Sequence, residues 1–366
     1  MSEVEVKVAI PQPRAAVVRM KEYHPPLGDR SGVRLDFNEN TFACSPKVLE
    51  QLGKISRAEL TKYPERESSE RLAALHLGLD PKQVLLTNGV DEAIHVLCQT
   101  YLGDGDEMLL PVPTYSMYEV YATGTDARVV QVQAGADFAF PLKAVLKTIT
   151  PATKLIAIAN PNSPTGRAVR REDILQVIDA APHAAVLVDE AYFHFFGETV
   201  LDLVERVPNV IVARTFSKAY GLAGLRLGAL AASEEQMQWF RRVISPYSVN
   251  SLALACLPGA LEDTAYLDWY VKEVLDSRVR FAAALERLSV PFWASDANFI
   301  LTNIGAKHVA FVNAMRARNV LVRDRSNDSG CNGCVRITMG TREHTERGIA
   351  ALEESLIEIG WKKGKA

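Results

Sequence analysis

Five short apolar runs recur along the middle of the chain, and longer mixed segments separate them. Each run contains four to six apolar residues and ends in turn-forming or polar residues, which is typical of a buried strand. Helix-like segments such as DEAIHVLCQTYL and REDILQVIDAA lie between them. This alternation predicts an α/β fold whose large central sheet is mostly parallel and flanked by helices. The runs lie within residues 83–89, 106–113, 154–161, 184–192 and 209–217.

The C-terminal part of the chain follows a different order. A long helical pattern at 266–288 precedes the strand-like ANFILTNI, a helix, two further strand-like runs and a final helix from about Glu343. That order predicts a smaller C-terminal α+β domain. We therefore expect an irregular, Pro-rich N-terminal arm packed on the small domain and the pocket, then a large domain and a small domain. Their expected ranges are 1–35, 36–260 and 261–366.

Charge and composition argue against nucleic-acid and membrane partners. The 366 residues carry a formal net charge of −3, and no apolar run approaches the ~18 residues that span a bilayer. The first residues lack the pattern of a signal peptide, and five cysteines, few and odd in number, favour a reducing cytoplasm. Cys331 and Cys334 form a CxxC without a second ligand pair or a following helix, so we assign it no metal or redox role.

Polar groups follow the predicted strands at the sheet edge where such folds bind ligands. Gly89 permits a turn into a helix, whose first free amides, at Val90 and Asp91, would bind an anion. Taken singly, a strand-end aspartate is most often a cap and a lone lysine is most often solvated. The other strand ends bring an aromatic ring, an amide, a carboxylate with a phenol, and a lysine flanked by hydroxyls. These residues are Tyr115, Asn160, Asp189, Tyr192, Thr215, Ser217 and Lys218.

A flat, phosphorylated aldehyde with a ring nitrogen would use all of these groups, and that description fits pyridoxal 5'-phosphate. Lys218 would condense with the aldehyde as a Schiff base, and Asp189 would keep the ring nitrogen protonated. Tyr115 would stack on the ring, while Asn160 and Tyr192 would hydrogen-bond its hydroxyl group. The amides of Val90 and Asp91 would bind the phosphate together with Thr215, Ser217 and Arg226.

Ordered motifs along nearly the whole chain resemble the histidinol-phosphate aminotransferase family, within the class I/II, fold-type I, pyridoxal-phosphate-dependent aminotransferases. NPNSPTG, VDEAY and RTFSKAYGLAGLRLG carry the wider resemblance. The closer one adds LDFNEN, YPE, NGVDE, PTYSMY, SPYSVN, ANFIL, VLVRD and CVRITMGTRE. The resemblance implies a fold-type I transferase in which Lys218 forms the internal aldimine and shuttles a proton.

The resemblance also implies roles for residues outside the large sheet. Arg336 would bind the polar end of the substrate, and Arg323 would suit a substrate phosphate. Apolar residues alternate with Arg336, which supports an orientation away from the apolar face, although without the resemblance a solvated edge charge is the simpler explanation. Tyr23 and Asn38 would line and close the pocket. Tyr63 would cross a homodimer interface to the cofactor phosphate of the neighbouring subunit.

The implied activity is ping-pong transamination between histidinol phosphate and 2-oxoglutarate in histidine biosynthesis, by a cytoplasmic enzyme without a metal. An aromatic amino-acid transaminase is the main alternative, with Arg336 on the α-carboxylate. A phosphoamino-acid decarboxylase and a non-catalytic cofactor-binding module are more remote alternatives for the function. The arm sequence KEYHPPLGDRSGVRL is longer and more polar than the short turn usual in the family, which leaves the substrate open. We interpret His24, His95, His183 and His194 as packing or surface residues.

Overall fold

The computed structural model describes residues 11–20, 22, 31–135 and 137–362, which contain two β-sheets covered by helices. The larger sheet has seven strands in the order β2-β8-β7-β6-β5-β3-β4, and the smaller has four in the order β1-β10-β11-β9. The strands are β1 (Val33–Leu35), β2 (Val84–Thr87), β3 (Glu107–Val112), β4 (Arg128–Gln133), β5 (Thr153–Ala159), β6 (Ala185–Asp189), β7 (Val210–Thr215), β8 (Gly228–Ala231), β9 (Phe299–Asn303), β10 (Val320–Asp324) and β11 (Cys334–Thr338).

Helices separate most of the strands along the chain, as the sequence pattern predicts. In the described residues, none of these helices is both long and apolar enough to cross a membrane. The helices are α1 (Ala15–Arg19), α2 (Pro46–Gly53), α3 (Glu67–Leu77), α4 (Gly89–Tyr101), α5 (Met117–Thr123), α6 (Leu142–Thr148), α7 (Arg171–Ala180), α8 (Glu234–Val243), α9 (Ser251–Glu262), α10 (Thr264–Arg287), α11 (His308–Ala317) and α12 (Arg342–Glu358).

The larger sheet is mostly parallel, as expected, and β8 is its one antiparallel strand among the described residues. Both faces are buried, because successive side chains of a strand point to opposite sides. Leu155 packs in the layer that contains α4 and α8, whereas Ile156 packs in the layer that contains α7. All five predicted strands form. The sequence analysis missed β4, an edge strand with an exposed face, and β8, which consists of the small residues GALA.

The smaller sheet confirms the predicted C-terminal α+β unit and adds a strand from the N-terminal arm. β1 lies parallel to β10, and the Val33 amide donates to the Asn319 carbonyl at 2.7 Å. Helices α10 and α12 pack on this sheet and bury Phe281 and Phe299 completely. Earlier in the arm, Arg14 pairs with Asp126 at 2.6 Å, beside the larger sheet. The exact division into domains stays a prediction.

A buried ion pair lies behind the strand ends of the larger sheet. The Arg214 guanidinium contacts the Glu190 carboxylate at 2.7 Å, with 9% and 0% of the two side chains exposed. The Val200 amide donates to Glu190 Oε1 at 2.8 Å, and the ring of Phe193 lies 3.6 Å from the guanidinium carbon. Burial raises the pKa of Glu190, and Arg214 opposes that rise. The two charges therefore depend on each other for their stability in the core.

We expect Glu190→Gln to lower the free energy of unfolding by about 3–5 kcal/mol, because it leaves the Arg214 charge buried without a partner. Urea unfolding followed by circular dichroism measures this. Glu205→Gln, at an exposed position, is the matched control and should change the value by less than about 0.5 kcal/mol. The double variant Glu190→Leu with Arg214→Met should recover most of the loss. Equal stability of the single variant and the control would contradict the prediction.

Candidate active site

A cavity of about 460 Å³ lies where the carboxyl ends of β5, β6 and β7 face the smaller sheet. Its lining brings together most of the residues that the sequence analysis singled out, from both sheets and from the segment after β1. The predicted residues that line it are Asn38, Val90, Asp91, Tyr115, Asp189, Tyr192, Thr215, Ser217, Lys218, Arg226, Arg323 and Arg336.

Among the described residues, two predicted site residues, Asn160 and Tyr63, do not line this cavity. Asn160 is buried next to its wall, and its Oδ1 accepts a hydrogen bond from the Val169 amide at 2.8 Å. Tyr63 is 77% exposed and stacks on Tyr247, with 4.4 Å between the ring centroids. Tyr23 lies outside the described residues, so its predicted contact with the pocket stays a prediction.

One region of the cavity is a cradle for an anion at the start of α4. Gly89 has φ +74°, and a Cβ atom placed on it would lie 2.5 Å from Nη2 of Arg226. That same nitrogen donates to Asp91 Oδ2 at 2.8 Å. Thr215 Oγ1 accepts from the Ser217 amide at 3.1 Å, which sets both hydroxyl-bearing residues at the edge of the cavity. Glycine is required at 89 because any side chain would push the guanidinium away from the helix start.

Lys218 lies in the segment after β7, and its amine faces the cavity. Nζ donates to the Phe37 carbonyl at 3.2 Å and lies 5.9 Å from the centroid of the Tyr192 ring. Asn38 Nδ2 donates to the Tyr192 hydroxyl oxygen at 2.8 Å. Residues 37 and 38, which follow β1 of the smaller sheet, thus position two groups of the larger one.

Asp189 ends β6 as a buried carboxylate. The Ala191 amide donates to Oδ1 at 3.0 Å, and the Tyr118 hydroxyl donates to Oδ2 at 2.5 Å. Burial raises the pKa of Asp189 to about 6, and the hydrogen bond from Tyr118 opposes this rise. In the part of the chain that the structure describes, no cationic side chain forms an ion pair with it.

The smaller sheet contributes a wall of three arginines, which we call the basic wall: Arg323, Arg325 and Arg336. Arg323 and Arg336 are partners in the β10–β11 register. Arg336 donates to Ser163 Oγ and to the Asp36 carbonyl, both at 2.9 Å. Burial, together with the charges of Arg325 and Arg323, lowers the pKa of Arg336 to about 10.

Sequence reasoning missed three groups that shape the site. Tyr118 belongs to the motif PTYSMY, but only Tyr115 was chosen from it; the Tyr115 hydroxyl instead donates to Asp91 Oδ1 at 2.8 Å. A signal for Tyr118 is its position one helical turn after Tyr115. Ser163 lies within the quoted NPNSPTG. Arg325 follows Arg323 by two positions, so the period of a strand places both on one side.

The residues fit pyridoxal 5'-phosphate. A buried carboxylate without a cationic side-chain partner suits a protonated ring nitrogen, which would offset the cost of its burial. The cradle at Gly89 and Arg226 suits the phosphate, and Lys218 supplies the amine that the aldehyde requires. Among the residues described, no cluster of three or more His, Cys, Asp or Glu could hold a metal ion.

Comparisons with known proteins agree with this assignment. Residues 30–352 match the family model for aminotransferase class I and II. The chain is 33% identical over 329 residues to a histidinol-phosphate aminotransferase of Thermoanaerobacter pseudethanolicus, with 88% of this chain and 93% of the relative covered. It is 34% identical over 361 residues to that of Symbiobacterium thermophilum, covering 94% and 99%. The crystal structure of histidinol-phosphate aminotransferase from Sinorhizobium meliloti with pyridoxal-5'-phosphate shares the fold, with a TM-score of 0.86, 23% identity and coverage of 96% and 99%.

The raised pKa of Asp189 makes the stability of the cofactor-free protein depend on pH. Its folded-state pKa of about 6 exceeds the value of about 3.9 for an exposed aspartate, so the folded state holds the proton more tightly. The free energy of unfolding should therefore fall as pH rises from about 4 to about 6 and stay low above. In urea unfolding at pH 4 and pH 8, Asp189→Asn should remove this pH-dependent loss of stability, which is on the order of 3 kcal/mol at pH 8.

The control is Asp104→Asn, because Asp104 is exposed and should leave the pH dependence as in the wild type. If Asp189→Asn and the wild type lose the same free energy of unfolding between the two pH values, Asp189 is not the source of the dependence.

Proposed function

The chain belongs to the aminotransferase class I and II family, and we propose that it moves an amino group from histidinol phosphate to 2-oxoglutarate. It is a pyridoxal-phosphate-dependent aminotransferase. The observation that carries the choice of substrate is the presence of two separate cationic regions in one cavity. The cradle at Gly89 and Arg226 accounts for the cofactor phosphate, so the basic wall remains for a substrate anion.

The charge of the basic wall favours a phosphorylated amino donor over an aromatic amino acid. Histidinol phosphate brings a phosphate group with about two negative charges, and 2-oxoglutarate brings two carboxylates. An aromatic amino acid brings a single carboxylate to three guanidinium groups. Because neighbouring positive charges in a partly buried site repel one another, the dianions are the better match. The names of the two curated relatives, which match over most of the chain, support the same substrate.

Each site residue has a proposed task when the cofactor is bound. Pyridoxal phosphate supplies an electron sink that stabilises negative charge at the substrate α-carbon. Asp189 would hold a proton on the ring nitrogen, and the Tyr118 hydroxyl and the Ala191 amide keep that carboxylate in place. The remaining cofactor contacts are proposed for Val90, Asp91, Tyr115, Asn160, Tyr192, Thr215, Ser217 and Arg226.

Lys218 would serve both as covalent anchor and as the base. Once the amino donor displaces it from the cofactor, its Nζ would take the proton from the donor α-carbon and later return it. The Phe37 carbonyl, which accepts from Nζ at 3.2 Å, would keep the amine directed into the cavity. The carbonyl oxygen can hold one N–H of the lysine while the amine lone pair faces the substrate.

We also propose a cytoplasmic homodimer in which Tyr63 contacts the cofactor phosphate of the neighbouring subunit. Tyr63 and Tyr247 are 77% and 54% exposed although they stack on each other, and the nearby Leu60 is 60% exposed. Large exposed rings and apolar side chains of this kind are common where another subunit binds. The five free cysteines are compatible with a reducing compartment.

We expect Lys218→Ala to lower the transamination rate by at least about a thousandfold, because it removes the anchor and the base together. The visible absorbance of the lysine-bound cofactor should also disappear. Lys143→Ala changes an exposed lysine far from the cavity and should leave both the rate and the spectrum unchanged. A spectrum that persists in Lys218→Ala would rule out the proposed anchor.

The proposed substrate is tested by offering single amino donors to the cofactor-loaded enzyme and following the loss of its visible absorbance. We expect kcat/KM for histidinol phosphate to exceed that for phenylalanine, tyrosine and histidinol by at least about a hundredfold, since only the first brings a phosphate to the basic wall. A higher kcat/KM for phenylalanine would assign the enzyme to aromatic amino acids instead.

A further inference from the structure

A chain of turns holds Arg325 at the edge of the cavity. Beyond the end of β10, the Arg325 amide donates to the Cys334 carbonyl at 2.9 Å, which extends the pairing with β11. The amide of Asp328 donates to the Arg325 carbonyl and that of Cys331 to the Asp328 carbonyl, both at 3.0 Å. The Cys334 amide closes the last turn onto the Cys331 carbonyl at 2.8 Å. The backbone of Arg325 is therefore fixed at both sides.

The side chain of Arg325 is directed to the cavity beside that of Arg323. Both residues line the cavity, whereas Asp324 between them lies on the other side and contacts His308 Nδ1 at 2.9 Å. The Asp328 carboxylate forms an ion pair with Arg325, and their side chains are 13% and 26% exposed. This carboxylate holds the guanidinium at the cavity edge, while the other N–H groups of the guanidinium stay available to donate to a ligand.

Nε of Arg325 and Nε of Arg336 are buried donors of the basic wall for which the described residues provide no acceptor. Buried donors of this kind are rare, because each loses its hydrogen bond to water without replacement. An anionic group in the cavity would supply the acceptors. The arrangement is thus incomplete in a way that a phosphate or carboxylate oxygen would correct.

The three guanidinium groups of the basic wall also affect one another. All three line the same cavity, and Asp328 forms an ion pair with Arg325. The effect is visible at Arg336, whose pKa is lowered first by burial and then by Arg325 and Arg323, while Asp328 acts in the opposite direction. A phosphate monoester dianion, with a charge of about −2 near neutral pH, would offset this mutual repulsion.

We propose that Arg325 is a third ligand for the phosphate of the amino donor, and that it selects phosphorylated donors over their unphosphorylated counterparts. This inference rests on the proposed function and adds a specificity residue to it. Arg323 and Arg336 bind from the paired strands β10 and β11, and Arg325 binds from the turn that joins them. Asp328 keeps the guanidinium in position before the substrate arrives and is not itself a substrate ligand.

The test compares Arg325→Gln with the wild type in three measurements on the cofactor-loaded enzyme. These are kcat/KM for histidinol phosphate, kcat/KM for histidinol, and the dissociation constant of inorganic phosphate by titration calorimetry. We expect about a tenfold to hundredfold loss for histidinol phosphate and a similar weakening of phosphate binding, because a charge-assisted contact is removed. Histidinol should change by less than about threefold, since it lacks the group that Arg325 binds.

Two further variants separate binding from a structural effect. Arg325→Lys keeps the charge and should recover part of the preference for histidinol phosphate. Arg206→Gln, at a side chain that is 68% exposed, should match the wild type in all three measurements. Equal losses for both donors, or unchanged phosphate binding in Arg325→Gln, would overturn the inference. Failure of the proposed function is a separate outcome, in which the wild type itself shows no preference for histidinol phosphate over histidinol.

Discussion

The burial of the Asp189 carboxylate at the end of β6 is the constraint on which the rest of the site depends. A carboxylate with little access to water is unfavourable unless donors and a cation compensate for lost hydration. The protein supplies two donors, the Ala191 amide and the Tyr118 hydroxyl. The pKa of Asp189 is nevertheless raised to about 6, so these donors compensate for only part of the lost hydration. We propose that the protonated ring nitrogen of the cofactor would provide the missing positive charge. The site would then be electrostatically complete only with pyridoxal phosphate bound.

The segment that follows β1 couples the two sheets around this site. The backbone carbonyl of Asp36 accepts from Arg336, that of Phe37 accepts from Lys218, and the side-chain Nδ2 of Asn38 donates to the Tyr192 hydroxyl oxygen. β1 itself belongs to the smaller sheet, whereas Lys218 and Tyr192 belong to the larger one. Three consecutive residues therefore fix the basic wall relative to the reactive amine. A shift of the smaller sheet would move the substrate anion and the lysine contact together.

The fold and the strand-end groups were predictable because the relevant signals are local. An apolar run that ends in Asp189, or in the segment leading to Lys218, places that residue at the carboxyl end of a strand whatever the distant contacts are. Tyr118 and Arg325 have only spacing from Tyr115 and Arg323 as a local signal, and their roles depend on packing, namely the direction of α5 over Asp189 and the turns after β10. Asn160 illustrates the same limit, since its side-chain Oδ1 accepts a hydrogen bond from the Val169 amide, a contact set by the intervening turn.

The two charged regions of the cavity, Asp189 and the basic wall, each bury charge of one sign where a ligand of the opposite sign would bind. Asp189 is a buried anion without a cationic side-chain partner among the described residues, and the basic wall is a group of three cations, of which Arg325 and Arg323 disfavour the charge of Arg336. Each arrangement lowers the stability of the protein without ligands, because buried charge is poorly solvated. A ligand of the opposite charge would compensate the buried charge in each region. Binding of that ligand would therefore stabilise the folded protein. Selectivity then comes from charge as well as shape, since a neutral donor leaves the basic wall uncompensated.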